Sequence, residues 1–312
     1  MPPLSLPGPV HRWIERLGAD LLSPPGTPLP DFTRPPGEPA LVPPHSVSWQ
    51  VFKNPVTLFI GGVAAVLLEL GEPRVRHGVW DHSGFRGDPV LRLRRTGLAA
   101  MVTVYGAQSA ARAMIDGVNR MHSRVHGRTD AGTPYRADDP ELLDWVQATA
   151  SWGFLEARAA FAEPLPRGTR DAYYAEAVPA AALYGATGAP RNEAELHTLF
   201  RRTSPALEPS PVISEFLGIM RTAPLLPAAA RPFQALLVAA AADLLPASLA
   251  ARIGLPPGRL PTWQRTLVRA AARAADRLPL AGSPPVQASI RLGLPPDFLY
   301  GVRGALPPAP GR

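Results

Sequence analysis

From residue 54 onward the chain places apolar residues three and four apart in alanine- and leucine-rich stretches, and no run alternates with a period of two. This spacing predicts helices at 55–70, 90–104, 107–126, 140–161, 167–184, 193–200, 211–220, 232–245 and 261–278. The fold class expected is all-α, a single helical bundle-like domain. Local punctuation agrees with several of the boundaries. Gly127 follows His126 where a left-handed residue would close a helix. Asp138 is placed to cap the next one, with Pro140 in its first turn and Glu141 three residues after the cap. No repeat of 20 to 50 residues is present, which argues against a solenoid.

The first 44 residues read differently. Thirteen of them are prolines, each lacking a donor and fixing φ, so a long helix cannot form across them. One short amphipathic segment, 11–22, interrupts an otherwise extended arm. The organisation expected is a Pro-rich arm over 1–48, an all-α domain over 49–280 and a C-terminal extension over 281–312.

Composition narrows the function classes. With 46% hydrophobic and 18% charged residues in 312, the chain can bury a sizeable core. Its 32 basic and 25 acidic groups leave a net charge of +7, but Lys53 is the only lysine, and the arginines are scattered. Aromatics reach only 7%, so no nucleic-acid partner is expected. The absence of cysteine removes disulfides, thiolate nucleophiles and Cys-ligated metals. The start has no basic segment followed by an apolar one, as a secretory signal would, and a cytoplasmic protein is expected. The most apolar stretch, 55–68, stops at Glu69 and falls short of the roughly 20 residues a membrane span needs. It reads as a buried core helix.

Among seven histidines, His122 and His126 alone have helical ligand spacing. HSRVH has Ser123 where a zinc protease needs its glutamate, which argues against zinc proteolysis. Two half-exposed histidines bonded to neighbours are an equally good reading. Arg92, Arg95 and Thr96 share a helical face and can hold carboxylates or another anion. The ordinary reading, favoured from the residues alone because arginine is common throughout the chain, is a solvated basic face paired with Asp81 or Asp88. Glu69 and Glu72 precede this motif as weak general-base candidates, with ion pairing to Arg92 or Arg95 as the ordinary role. No GxSxG elbow, GxGxxG or Walker loop is present. In 261–278, Arg265, Arg269, Arg273 and Arg277 form one side, while Trp263, Leu267, Ala270, Ala274 and Leu278 form a second stripe. The ordinary expectation packs the apolar stripe inward and hydrates the arginines, with peripheral membrane contact as the alternative.

Taken in order, GGVAAVLLELGEP, DHSGFRGDPVLRLRRT, MHSRVHG, YRADDPELLDWVQAT and DAYYAEAVPAAALYGA resemble the mycophenolic-acid-pathway oxygenases and rubber oxygenases (latex-clearing proteins), over about residues 45 to 250. The resemblance implies an all-α domain enclosing a heme pocket. It implies a heme b whose iron is held by His122, the histidine opening HxxVxG, with Val125 and Gly127 completing the motif. Arg92, Arg95 and Thr96 correspond to an RxxK/RT motif lining that pocket. Rubber oxygenases carry at the position of Arg95 a lysine able to approach the iron. An arginine offers no lone pair, so Arg95 is expected to donate hydrogen bonds to a propionate, dioxygen or substrate instead. Gln147 and Glu72 stand where many relatives carry histidine, leaving His122 as the strongest ligand candidate.

The function expected is a heme-dependent oxygenase using dioxygen on a small apolar organic substrate, by analogy with oxidative cleavage of C=C bonds. Dehydrogenation or hydroxylation of a small secondary metabolite is the second enzyme reading, and a cofactor-free helical interaction protein the third. A homo-oligomer stays open.

Overall fold

The centre of the fold follows from two glycines. In the computed structural model, which describes residues 3–4, 7–22, 30–256 and 258–301, helix α3 (Pro55–Glu69) crosses helix α7 (Pro140–Phe161) with Gly61 against Gly153. A Cβ on Gly61 would lie 2.5 Å from the Gly153 carbonyl oxygen, so a larger residue would hold the two backbones apart. Ala65, one turn beyond Gly61, keeps that approach open, and Glu69 follows on the same face of α3. Asn54 starts α3 by accepting from the backbone N–H of Val56 and Thr57.

Around this pair lie α1 (Gly8–Leu22), α2 (Val47–Phe52), α4 (Pro73–Trp80), α5 (Pro89–Tyr105), α6 (Gln108–His122), α8 (Arg167–Leu183), α9 (Glu193–Thr203), α10 (Pro211–Thr222), α11 (Arg231–Leu244), α12 (Ala247–Arg252), α13 (Thr262–Ala275) and α14 (Pro284–Arg291). The only sheet among the described residues is the antiparallel hairpin β1 (His126–Arg128) with β2 (Pro134–Arg136). The all-α class is therefore correct. The main core joins α3, α7, α10 and α11 through residues such as Leu67, Leu155, Phe216 and Val238. A smaller core packs Phe32 and Val42, from the segment before α2, with Trp49, Tyr105, Val286 and Leu299. Both terminal regions thus contribute core residues. Arg291 ties them together, donating to the carbonyls of Phe32, Glu38 and Tyr105.

Three local expectations are overturned. Helix α6 stops at His122, and His126 lies exposed in β1, so the two histidines do not share a helical face. Gly127 does not adopt the left-handed conformation; it is required because a Cβ there would meet the Tyr135 hydroxyl at 2.6 Å. Asp139, not Asp138, caps α7, accepting from Glu141 N at 2.9 Å, while Asp138 is bound by Arg136.

Helix α13 does not pack by the apolar stripe expected to face inward, although Arg269 and Arg273 are exposed as expected. Arg265 pairs with Asp243, and Arg269 and Arg273 donate to the carbonyls of Ala160 and Ala162 at the end of α7. Val268 and Ala272 form its buried line, leaving Trp263, Leu267, Ala270 and Ala274 exposed. Of the stripe expected to pack inward, Leu278 alone is buried.

No single described helix is long and apolar enough to cross a membrane. Helices α3 and α4 together have the length and composition but bend by 115° at their junction.

Candidate active site

The last residue of α3, Glu69, is sealed in the interior against α7. Thr149 is its donor, with Oγ1 at 3.3 Å from Oε1. That hydroxyl also lies 3.0 Å from the Trp145 carbonyl and 2.9 Å from that of Val146, so one proton serves three acceptors. Burial disfavours the carboxylate and raises the group to about 7, against the opposing pull of Thr149 and of the Arg92 charge. At neutral pH Glu69 can therefore either hold or release a proton.

Arg92, in the first turn of α5, is half-buried, and its Nε is enclosed without a hydrogen-bond partner. Burial lowers its pKa, the neighbouring Arg95 charge acts in the same direction, and Glu69 opposes them. The Nε of Arg94 is likewise enclosed and unpartnered. Two apart on one helix, Arg92 and Arg94 point to different sides, so it is the unmet donor of Arg92 that offers a place for an anionic group in this neighbourhood.

His122 completes the group from the last turn of α6. Its Nδ1 is shielded from solvent and has no partner. Burial, then the Arg92 charge, hold the imidazole below its usual range, with Asp138 opposing. The ring is neutral at pH 7, the protonation state in which it can donate a lone pair to a metal.

The structure thus brings Glu69, Arg92 and His122 into one electrostatic neighbourhood in which Arg92 acts on the other two and is itself acted on by the Arg95 charge. Arg95 and Thr96 are exposed, and the Thr96 hydroxyl donates to the Arg92 carbonyl at 2.9 Å, a local helix bond. The expected pairing of these arginines with Asp81 or Asp88 does not occur: Asp81 binds His77, and Asp88 caps α5 through Leu91 N. Glu72 stands apart from the group, capping α4 through Val75 N and pairing with Arg74. One participant was not singled out from sequence: Thr149, whose hydroxyl reaches Glu69. Thr149 lies within WVQAT, four residues before Gly153. Among the described residues no cluster of three or more His, Asp or Glu could hold a bare metal ion.

Comparison with known proteins adds a decisive match. The family described as ER-bound oxygenase mpaB/B′/rubber oxygenase, catalytic domain, matches residues 49–277. The chain belongs to this family. The match runs from within α2 through α13, and with them takes in every residue of the Glu69, Arg92 and His122 neighbourhood. It also makes the protein a member of an oxygenase family with an all-α domain, as the ordered motifs implied. Two curated relatives, uncharacterized proteins of Mycobacterium bovis and of Mycobacterium tuberculosis, are each 33% identical over 119 residues. That stretch is 36% of this chain and 46% of each relative, so the chain spans about half the length of the curated relatives it matches. No solved structure matches this member of the family.

Proposed function

We propose that this member of the oxygenase family uses a heme b, whose iron His122 would hold, to act with dioxygen on a small apolar organic substrate. The observation that carries the reading is the enclosed, unpartnered Nδ1 of His122 in the field of Arg92, whose own enclosed Nε also has no acceptor. A porphyrin brings four nitrogen ligands of its own, so one protein imidazole is enough, and its propionates suit an enclosed arginine. When bound, the heme supplies a redox-active iron for dioxygen chemistry.

The remaining roles belong to the chain. Arg92 holds a positive charge near both Glu69 and His122, adding to the burial that lowers the imidazole pKa and favouring the Glu69 carboxylate. Glu69 stores or accepts one proton at its carboxyl, with the Thr149 hydroxyl, shared with two helix carbonyls, reaching one of its oxygens. Arg95 cannot serve as a ligand, because a guanidinium offers donors and no lone pair; it offers hydrogen bonds to a propionate or an oxygen atom of a reactant. Thr96 sits one residue further along as a secondary donor.

Two measurements test the reading. Protein purified after expression with ample heme carries about one heme per chain, and colourless protein that also fails to take up added hemin would overturn it. With heme bound, product masses distinguish the chemistries. Two added oxygens with chain scission mean cleavage, one added oxygen means hydroxylation, and loss of two hydrogens means dehydrogenation.

A further inference from the structure

The packing of α13 through Val268 and Ala272 leaves a feature that the oxygenase reading does not use. Trp263 is 67% exposed and Leu267 48%, and with Ala270 and Ala274 they form a stripe opposite the buried Val268 and Ala272. Isolated exposed apolar residues need no explanation, but a continuous stripe capped by a tryptophan does. Arg269 and Arg273 lie along one side of it, both exposed. Each donates inward through Nε to an α7 carbonyl, and no carboxylate pairs with either among the described residues. Their charges therefore remain uncompensated beside the stripe.

We propose that α13 docks the protein peripherally on an anionic lipid surface, with Trp263 and Leu267 entering the headgroup region and Arg269 and Arg273 meeting lipid phosphates. The stripe is one helix face, about 17 Å long at 1.5 Å per residue, with two large side chains. A stable protein partner needs about 800 Å² on each side, more than this strip presents, whereas an interfacial helix needs only a narrow apolar edge with cations beside it. Indole rings favour the boundary between headgroups and acyl chains. The net charge of +7 adds long-range attraction to the same surface.

The test is co-sedimentation of the full chain with vesicles of phosphatidylcholine alone or mixed with phosphatidylglycerol, at low and physiological salt. The expected result is binding to the anionic vesicles only, weakened by salt, with quenching by brominated lipid that falls in Trp263→Phe. The double variant W263S/L267S loses at least about tenfold in affinity. R269Q/R273Q also loses about tenfold, and R269K/R273K restores binding. The exposed positions Trp263 and Leu267 carry no core contact, so an unchanged circular-dichroism melt certifies folding of that pair. Unaltered binding by W263S/L267S would overturn the proposal, as would loss of binding in Trp13→Ser, which would move the contact to α1. Failure to bind anionic vesicles, with self-association abolished by W263S/L267S, would make the stripe an interface between copies and overturn it equally.

Discussion

Replacing Glu69 by glutamine probes the site without emptying it, since the amide keeps the volume and one carbonyl to accept from Thr149. The carboxyl is moved by burial from 4.5 to about 7. At 1.36 kcal/mol per pH unit, ionising it in the native protein costs about 3 kcal/mol more than in the unfolded chain. Because the folded-state value is raised, the native protein binds more protons than the unfolded chain between pH 4.5 and 7. Stability from this group is present below that window and is lost as pH rises through it. Glutamine has no such dependence. Urea unfolding of both proteins, followed by circular dichroism from pH 4 to 8, gives the difference directly, and the contributions of all other groups cancel. The variant should gain on the wild type by about 3 kcal/mol across that range. A difference that stays flat with pH would show that Glu69 is not a buried, proton-holding acid, and would remove it from the proton-handling role assigned above.

Other consequences follow from the same geometry. Gly153→Val drives a side chain into the Gly61 carbonyl and should cost more than about 3 kcal/mol, read as a lowered Tm or loss of soluble protein. Asp276 lies between Arg158 and Lys53, at 2.5 and 3.4 Å, and also accepts from Asn54. Asp276→Ala leaves two buried cations facing each other and should cost about 3 to 5 kcal/mol in urea unfolding. In heme-free protein, Arg92→Met removes a charge that depresses the imidazole of His122, so its NMR titration should move to higher pH, and Glu69 should become harder to ionise still.

How much of this was legible in advance depends on what each feature needed. Helices such as α7 and α10 announce themselves by a proline in the first turn and a sustained apolar spacing, and α7 falls on the expected bounds. Helices α2, α4, α12 and α14 span six to eight residues, too few for a period to emerge. The apolar pattern of α6 runs on past its end, where the Ala137 N–H reaches the Val125 carbonyl and draws the chain into the hairpin. That competition is between distant residues and leaves no local signal. The same holds for α13: both its stripes satisfy a helical pattern, and Asp243 with the α7 carbonyls decides which turns inward. At the site, Arg92, Arg95, Thr96 and His122 could be named through the family motifs. The enclosure of Glu69 by Thr149 depends on the Gly61–Gly153 crossing, which is visible only once the helices are assembled.

The claim on which the functional account rests is that one imidazole holds the iron. Heme content and the absorption spectrum of His122→Ala and His126→Ala, purified in parallel with the wild type, test it most directly. The account predicts that the first loses stable heme while keeping its helical circular dichroism, and that the second, altered in an exposed strand, keeps both. Equal heme retention in the two variants would place the ligand elsewhere and contradict it.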